Sequence, residues 1–150
     1  MDSTVSFEVT GSELVRGLET AELPNARFRH REHVCAAVHF LRSFGYPAAE
    51  PRFVKTLSAY AASHGQADKF HVTITLAWMR LVAAALVANR SARSFRSFVA
   101  ERPDLLDKGL IFRYYSRERI FADDARKSWI EPDLETLPAC RPHGPTTRWD

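Results

Sequence analysis

Between Lys69 and Arg90 the chain carries a single charged side chain, Arg80, in a stretch that reads "FHVTITLAWMRLVAAALVAN". Apolar residues occupy almost every position around a 3.6-residue period, so a helix here has no face to give to water and has to be surrounded. That predicts a central helix over about 69–89, around which the rest of the chain must pack. Its longest uninterrupted apolar run, "LVAAALVA", is too short to span a bilayer. No membrane partner is expected.

The flanking sequence supplies amphipathic helices to do the surrounding. Apolar spacing keeps a helical period from residue 12 to about 130, and no segment alternates as a half-buried strand would. The expected class is all-α: one helical domain over residues 1–150, with main helices at about 29–44, 50–64 and 69–89, shorter C-terminal helices and an extended tail. A first piece from Ser12 to about Thr20 has Ser12 as its expected N-cap. Gly45 should close the 29–44 helix, Pro51 suits the first turn of the next, and Gly65 stops it. Asp68 is the expected cap of the central helix. "SFRSFVAERP" reads as a short helix ended by Pro103, with further helical pieces in "DLLDKGLIFRYYSRERI" and "DDARKSWI". From residue 131 to 150 the prolines at 132, 138, 142 and 145 forbid a helix. That tail is expected to lie as a strap as far as Leu137 and to fray beyond it.

Composition narrows the partners. A chain of 150 residues with 45% hydrophobic and 26% charged residues can bury a real core. The net charge of +3 is small, and its arginines are dispersed among acids, so nucleic acid is not an expected partner. Cys35 and Cys140 match no metal or redox spacing and read as reduced thiols. With no charged-then-apolar leader in view, a cytoplasmic location is expected.

Chemistry is suggested by histidines at helix starts. At about 100° per residue, His30 and His33 fall on the stripe of Val34, Ala37, Phe40, Leu41 and Phe44, while His39 falls on the opposite, solvated side. His71 shares the stripe of Ile74, Thr75, Trp78, Leu81 and Val82. Short connections favour antiparallel neighbours, so an up-down-up order brings His30, His33 and His71 to one end, joined there by His64. A helix N-terminus is electropositive, which favours neutral rings and attracts an anion, with Arg27, Arg29, Arg31 and Lys69 nearby to hold it.

Neutral imidazoles serve two chemistries. His30, His33 and His71 could hold a divalent transition metal such as Zn²⁺ that activates water or substrate. Alternatively, His30, His33, His71 and Tyr114 act directly as acid and base in an elimination, isomerisation or cyclisation. Lys69, Thr75 and Arg80 are the expected substrate-binding groups. Glu32 points away from the stripe. The plainer readings are a core histidine satisfied by a neighbour such as Thr75, an Arg80 ion-paired with an acid of a shorter helix, and packing roles for Trp78, Met79, Tyr114 and Tyr115. Thr73 and Thr75 lower helix propensity at the start of the central helix, a local mismatch of the kind that can mark a site. The expected function is a small enzyme acting on a polar or anionic small molecule; a non-catalytic module that binds a metabolite or a protein is the rival. Oligomeric state is not legible.

Three stretches also carry a resemblance: "FRHREH", "KFHVTIT", and "LLDKGLIFRYYSRERI" followed by "ARKSWIEPDLETLP". Over most of residues 28–138 the chain resembles a group of short bacterial proteins that share the FxHxxH, K[FY]HxTIT and LLDKGLIxRYYS patterns. The resemblance implies a bacterial cytoplasmic domain and brings no activity, cofactor or catalytic residue with it.

Overall fold

The computed structural model describes residues 10–146 and Trp149. Seven α-helices are described: α1 (Gly11–Glu19), α2 (His30–Phe44), α3 (Ala49–Ser63), α4 (Val72–Ala88), α5 (Phe95–Glu101), α6 (Arg117–Ile120) and α7 (Asp123–Lys127). 3₁₀ segments fall at Asn25–Arg27, Ala67–Lys69, Pro103–Leu106 and Lys108–Arg113. No strand occurs among the described residues, and an isolated bridge joins Tyr46 to His143. The protein is all-α, as the periodicity predicts.

Helix α4 is the rod that its composition demands. Its Ala77, Met79, Val82 and Ala83 are fully buried, and it packs on α2, α3 and α7. Helix α2 lies against α1, α3 and α4, with Val34, Ala36, Ala37 and Leu41 buried. Among the described residues no helix is long and apolar enough to cross a membrane.

Two caps differ from expectation. Helix α1 starts after Thr10 rather than Ser12, because Thr10 and Glu13 form a reciprocal capping box: the Glu13 amide donates to Thr10 Oγ1 at 3.1 Å, and the Thr10 amide to Glu13 Oε1 at 3.2 Å. Helix α4 starts at Val72 rather than 69, and its cap is His71 rather than Asp68. Asp68 lies in the Ala67–Lys69 turn, and Phe70 and His71 are extended before the helix begins.

The tail also departs from expectation. Instead of fraying after Leu137, it returns to the far end of α2, where the Tyr46 amide donates to the His143 carbonyl at 2.9 Å and the His143 amide to the Tyr46 carbonyl at 2.8 Å. The Thr146 amide donates to the Arg42 carbonyl at 3.0 Å. Gly45 makes this possible: its φ of 80° turns the chain out of α2, and a Cβ there would collide with the His143 carbonyl. Prolines forbid helix in the tail, but they do not forbid pairing at the residues between them.

Candidate functional site

A cavity of about 770 Å³ opens where α2 begins. One wall is Phe28, Arg29, His30 and His33, a second is Ile74 and Trp78 of α4, and the third comes from the Asp107–Phe121 region. The third wall contributes Lys108, Phe112, Arg117 and Phe121. Three cations and one carboxylate, Asp107, therefore surround a largely aromatic interior. Asp107 is itself engaged as a cap, accepting from the Gly109 amide at 2.9 Å. Arg117 lies over the Phe112 ring at 4.2 Å, which presents its charge at the mouth without a carboxylate partner in that contact.

Helical spacing puts His30 and His33 on one face, and the structure keeps them there, rings nearly parallel at 13° and 6.5 Å apart. His30 Nε2 meets the Leu105 carbonyl at 2.9 Å. A carbonyl only accepts, so Nε2 carries the proton and Nδ1 is left as an acceptor. The His30 ring stands edge-on to Trp78 at 4.5 Å. His33 lies between Phe28 and Phe53, with centroids at 5.8 and 5.4 Å. Among the described residues neither of its ring nitrogens makes a hydrogen bond. Burial among these rings pushes its pKa down to about 4, and His30 adds to the effect. Burial also lowers the pKa of His30, against the Leu105 carbonyl that supports its protonated form. Both rings are neutral at pH 7.

His71 is at the expected end and on the expected face, but at another level. His30 lies beside Trp78, seven positions along α4, so His71 sits about 10 Å further along the helix axis. Its two nitrogens are both used: Nδ1 accepts from the Ile74 amide at 3.0 Å, capping α4, and Nε2 donates to the Ile120 carbonyl at 2.7 Å. His71 does not line the cavity. The expected triad of His30, His33 and His71 is thus not assembled, and no group of three or more metal-ligating side chains occurs among the described residues. His64 reaches the same end and is likewise tied, its Nε2 donating to the Ala21 carbonyl at 3.0 Å.

The remaining expected groups lie elsewhere. Lys69 is exposed on its 3₁₀ turn and outside the cavity lining. Thr75 is buried and donates to the main-chain carbonyl of His71 at 2.7 Å, not to its ring. Thr73 is a clamp: its hydroxyl donates to the Ser128 carbonyl at 2.7 Å and accepts from the Ile130 amide at 3.1 Å. The threonine mismatch marks this junction rather than a substrate contact. Arg80 pairs with Glu50 at 3.2 Å and lies over Trp129 at 4.1 Å, away from the cavity. Tyr114 is buried beneath the Arg113 guanidinium and does not reach the cavity, and its carbonyl takes the Leu134 amide at 3.0 Å. Tyr115 donates to the Ile130 carbonyl at 2.7 Å. His39 is partly buried against Gly11 rather than solvated.

The residues that sequence reasoning missed are those of the third wall. The basic and aromatic residues of "DKGLIF" and "SRERIF" are their only local signal, and a short 3₁₀ segment and a one-turn helix carry no period that says which way a side chain points. No protein-family model matches the chain, and no curated protein and no solved structure matches it.

Proposed function

We propose that the protein is a small enzyme acting on an anionic small molecule with a flat, apolar body, bound between Trp78, Phe28, Phe112 and Phe121, with His33 as the proton acceptor. The observation that carries this reading is His33: a neutral imidazole that lines an open cavity and, unlike His30, His64 and His71, has no carbonyl holding it. The pocket has the composition expected of small-molecule sites, mostly aromatic with a few placed polar groups. Arg29, Lys108 and Arg117 would hold the substrate's anionic group, and the aromatic walls its body.

An imidazole whose pKa is about 4 is a weak base when the pocket is empty. An anion seated beside it stabilises the imidazolium and raises that value, so proton transfer is switched on by the substrate. His30, held through Nε2 with Nδ1 still an acceptor, sets the position of the second ring. Elimination, isomerisation and cyclisation all begin with this proton removal, after which the His33 imidazolium returns the proton to another atom of the product, to the leaving group or to solvent. Metal-assisted activation by an ion such as Zn²⁺ would have His30 and His33 to draw on, with further ligands from substrate or water, since both His71 nitrogens are occupied.

The test follows the His33 ring by NMR while aryl carboxylates and aryl phosphates are added. The expected result is a His33 pKa raised toward neutrality by a saturating ligand, with His33→Gln folded but inactive on any substrate found. If ligands bind without moving the His33 titration, or if His33→Gln keeps full activity, the acceptor role is wrong. Binding with unchanged His33 and no turnover would identify a binding module instead.

A further inference from the structure

We propose that the hollow where α2 and α4 end is a second ligand site, binding the hydrogen phosphate ion through Arg42, Arg90, Arg93 and His143. This hollow encloses about 810 Å³ and is lined by these four residues together with Thr146 and Trp149, among others. It lies at the opposite end of the bundle from the histidine cavity, and the two share no lining residue. No carboxylate lines it among the described residues.

Arg42 is the strongest sign. Its Nε is buried and has no hydrogen-bond acceptor among the described residues. Its guanidinium lies over the Trp149 ring at 4.2 Å, with Trp149 braced in turn by Phe98 at 5.7 Å. Burying that one N–H without an acceptor costs free energy even though the rest of the guanidinium is partly exposed, and an anion in the hollow would supply the acceptor. Elsewhere in the molecule Arg80, Arg102, Arg113 and Arg126 each have a carboxylate within 4 Å. Arginines near helix ends can simply complement the macrodipole, and Arg90, whose Nε donates to the Val87 carbonyl at 3.3 Å, does so. Among the described residues the Arg42 Nε bonds no such carbonyl, so helix capping does not account for it.

His143 decides what kind of anion fits. Its Nδ1 lies 3.0 Å from the Gly144 carbonyl, which only accepts, so Nδ1 carries the proton and Nε2 presents a lone pair. That Nε2 is also buried without a hydrogen-bond partner among the described residues, and His143 lines the same hollow. Three guanidinium groups that donate and one imidazole that accepts match an oxyanion with its own O–H. Hydrogen phosphate has one at neutral pH; sulfate does not. Three positive charges, Arg42 from α2 and Arg90 and Arg93 from the connection between α4 and α5, suit a dianion better than a lone carboxylate.

The test is a titration of the whole chain with sodium phosphate, sodium sulfate and methyl phosphate at pH 7 and matched ionic strength, read from the Arg42 Nε–H resonance and from Tm. Phosphate should perturb the resonance saturably and raise Tm, with sulfate weaker by about tenfold or more. Arg93 is exposed, so Arg93→Gln should fold normally while weakening phosphate by about tenfold. His33→Gln should leave the titration unchanged. Methyl phosphate, mostly a dianion with no O–H at pH 7, should bind as weakly as sulfate, and binding as tight as that of phosphate overturns the proposal. Absence of saturation, equal affinity for sulfate, or a response retained in both Arg42→Gln and Arg93→Gln overturns the proposal.

Discussion

At the end of the bundle where α2 begins, His30, His64 and His71 each donate to a main-chain carbonyl from a distant segment, at Leu105, Ala21 and Ile120. At the end where α2 stops, Arg42 Nε and His143 Nε2 are buried with no hydrogen-bond partner among the described residues. The first end is a junction in which imidazoles replace missing backbone pairs and one ring, His33, is left over. The second is a cationic hollow closed by a returning tail. Polar residues in the first are explained mostly by architecture, so only the residue that architecture does not use points to chemistry. In the second, architecture explains little, and the unmatched groups themselves are the signal.

The largest effect should come from breaking the junction. His71→Ala removes the cap of α4 and leaves the Ile120 carbonyl unpaired, and should cost about 3 kcal/mol in denaturant unfolding. A variant that stays within about 0.5 kcal/mol of the parent would show that His71 is not structural and reopen the three-histidine site. Next is Gly45→Ala, which forces a side chain into a left-handed conformation and against the His143 carbonyl. It should cost about 2 kcal/mol and raise the hydrogen-exchange rates of the Tyr46 and His143 amides, while exchange near Ile120 stays as it was.

Acid sharpens the contrast through His33. Its folded pKa of about 4 lies below the ordinary imidazole value of 6.5, so the unfolded chain binds a proton that the folded chain refuses. Stability is therefore unaffected above pH 6.5, falls as pH drops from 6.5 toward 4, and should lose about 2 kcal/mol there after allowance for partial exposure. His33→Gln should flatten that slope in chemical-denaturation curves taken across the range. The lowered values of His30 and His71 act in the same direction, so a smaller slope should remain. The smallest effect is Arg80→Met, which loses a partly exposed ion pair with Glu50 and should shift stability by about 0.5 kcal/mol without changing ligand binding at either end.

The helices were legible because periodicity is a property of sequence alone. The 29–44, 50–64 and 69–89 helices are observed at His30–Phe44, Ala49–Ser63 and Val72–Ala88, and α4 starts late because His71 is its cap rather than a member. Periodicity also placed His30 and His33 correctly on the inner face. It could not say that His71 would sit some seven residues out of register with His30, nor that Ile120 would take its ring, since both depend on how far one helix slides along another. The same limit hid Lys108, Phe112 and Arg117, whose directions are set by turns packed on α4 rather than by any repeat.

The Thr73 clamp ties the first turn of the central helix to a main-chain segment 55 residues downstream. During synthesis the ribosome delivers α2, α3 and α4 well before Ser128 leaves the exit tunnel, so the nascent helices must wait with one wall of the histidine cavity missing and Trp78 uncovered on that side. A chaperone or an early-binding ligand would find its opportunity in that interval.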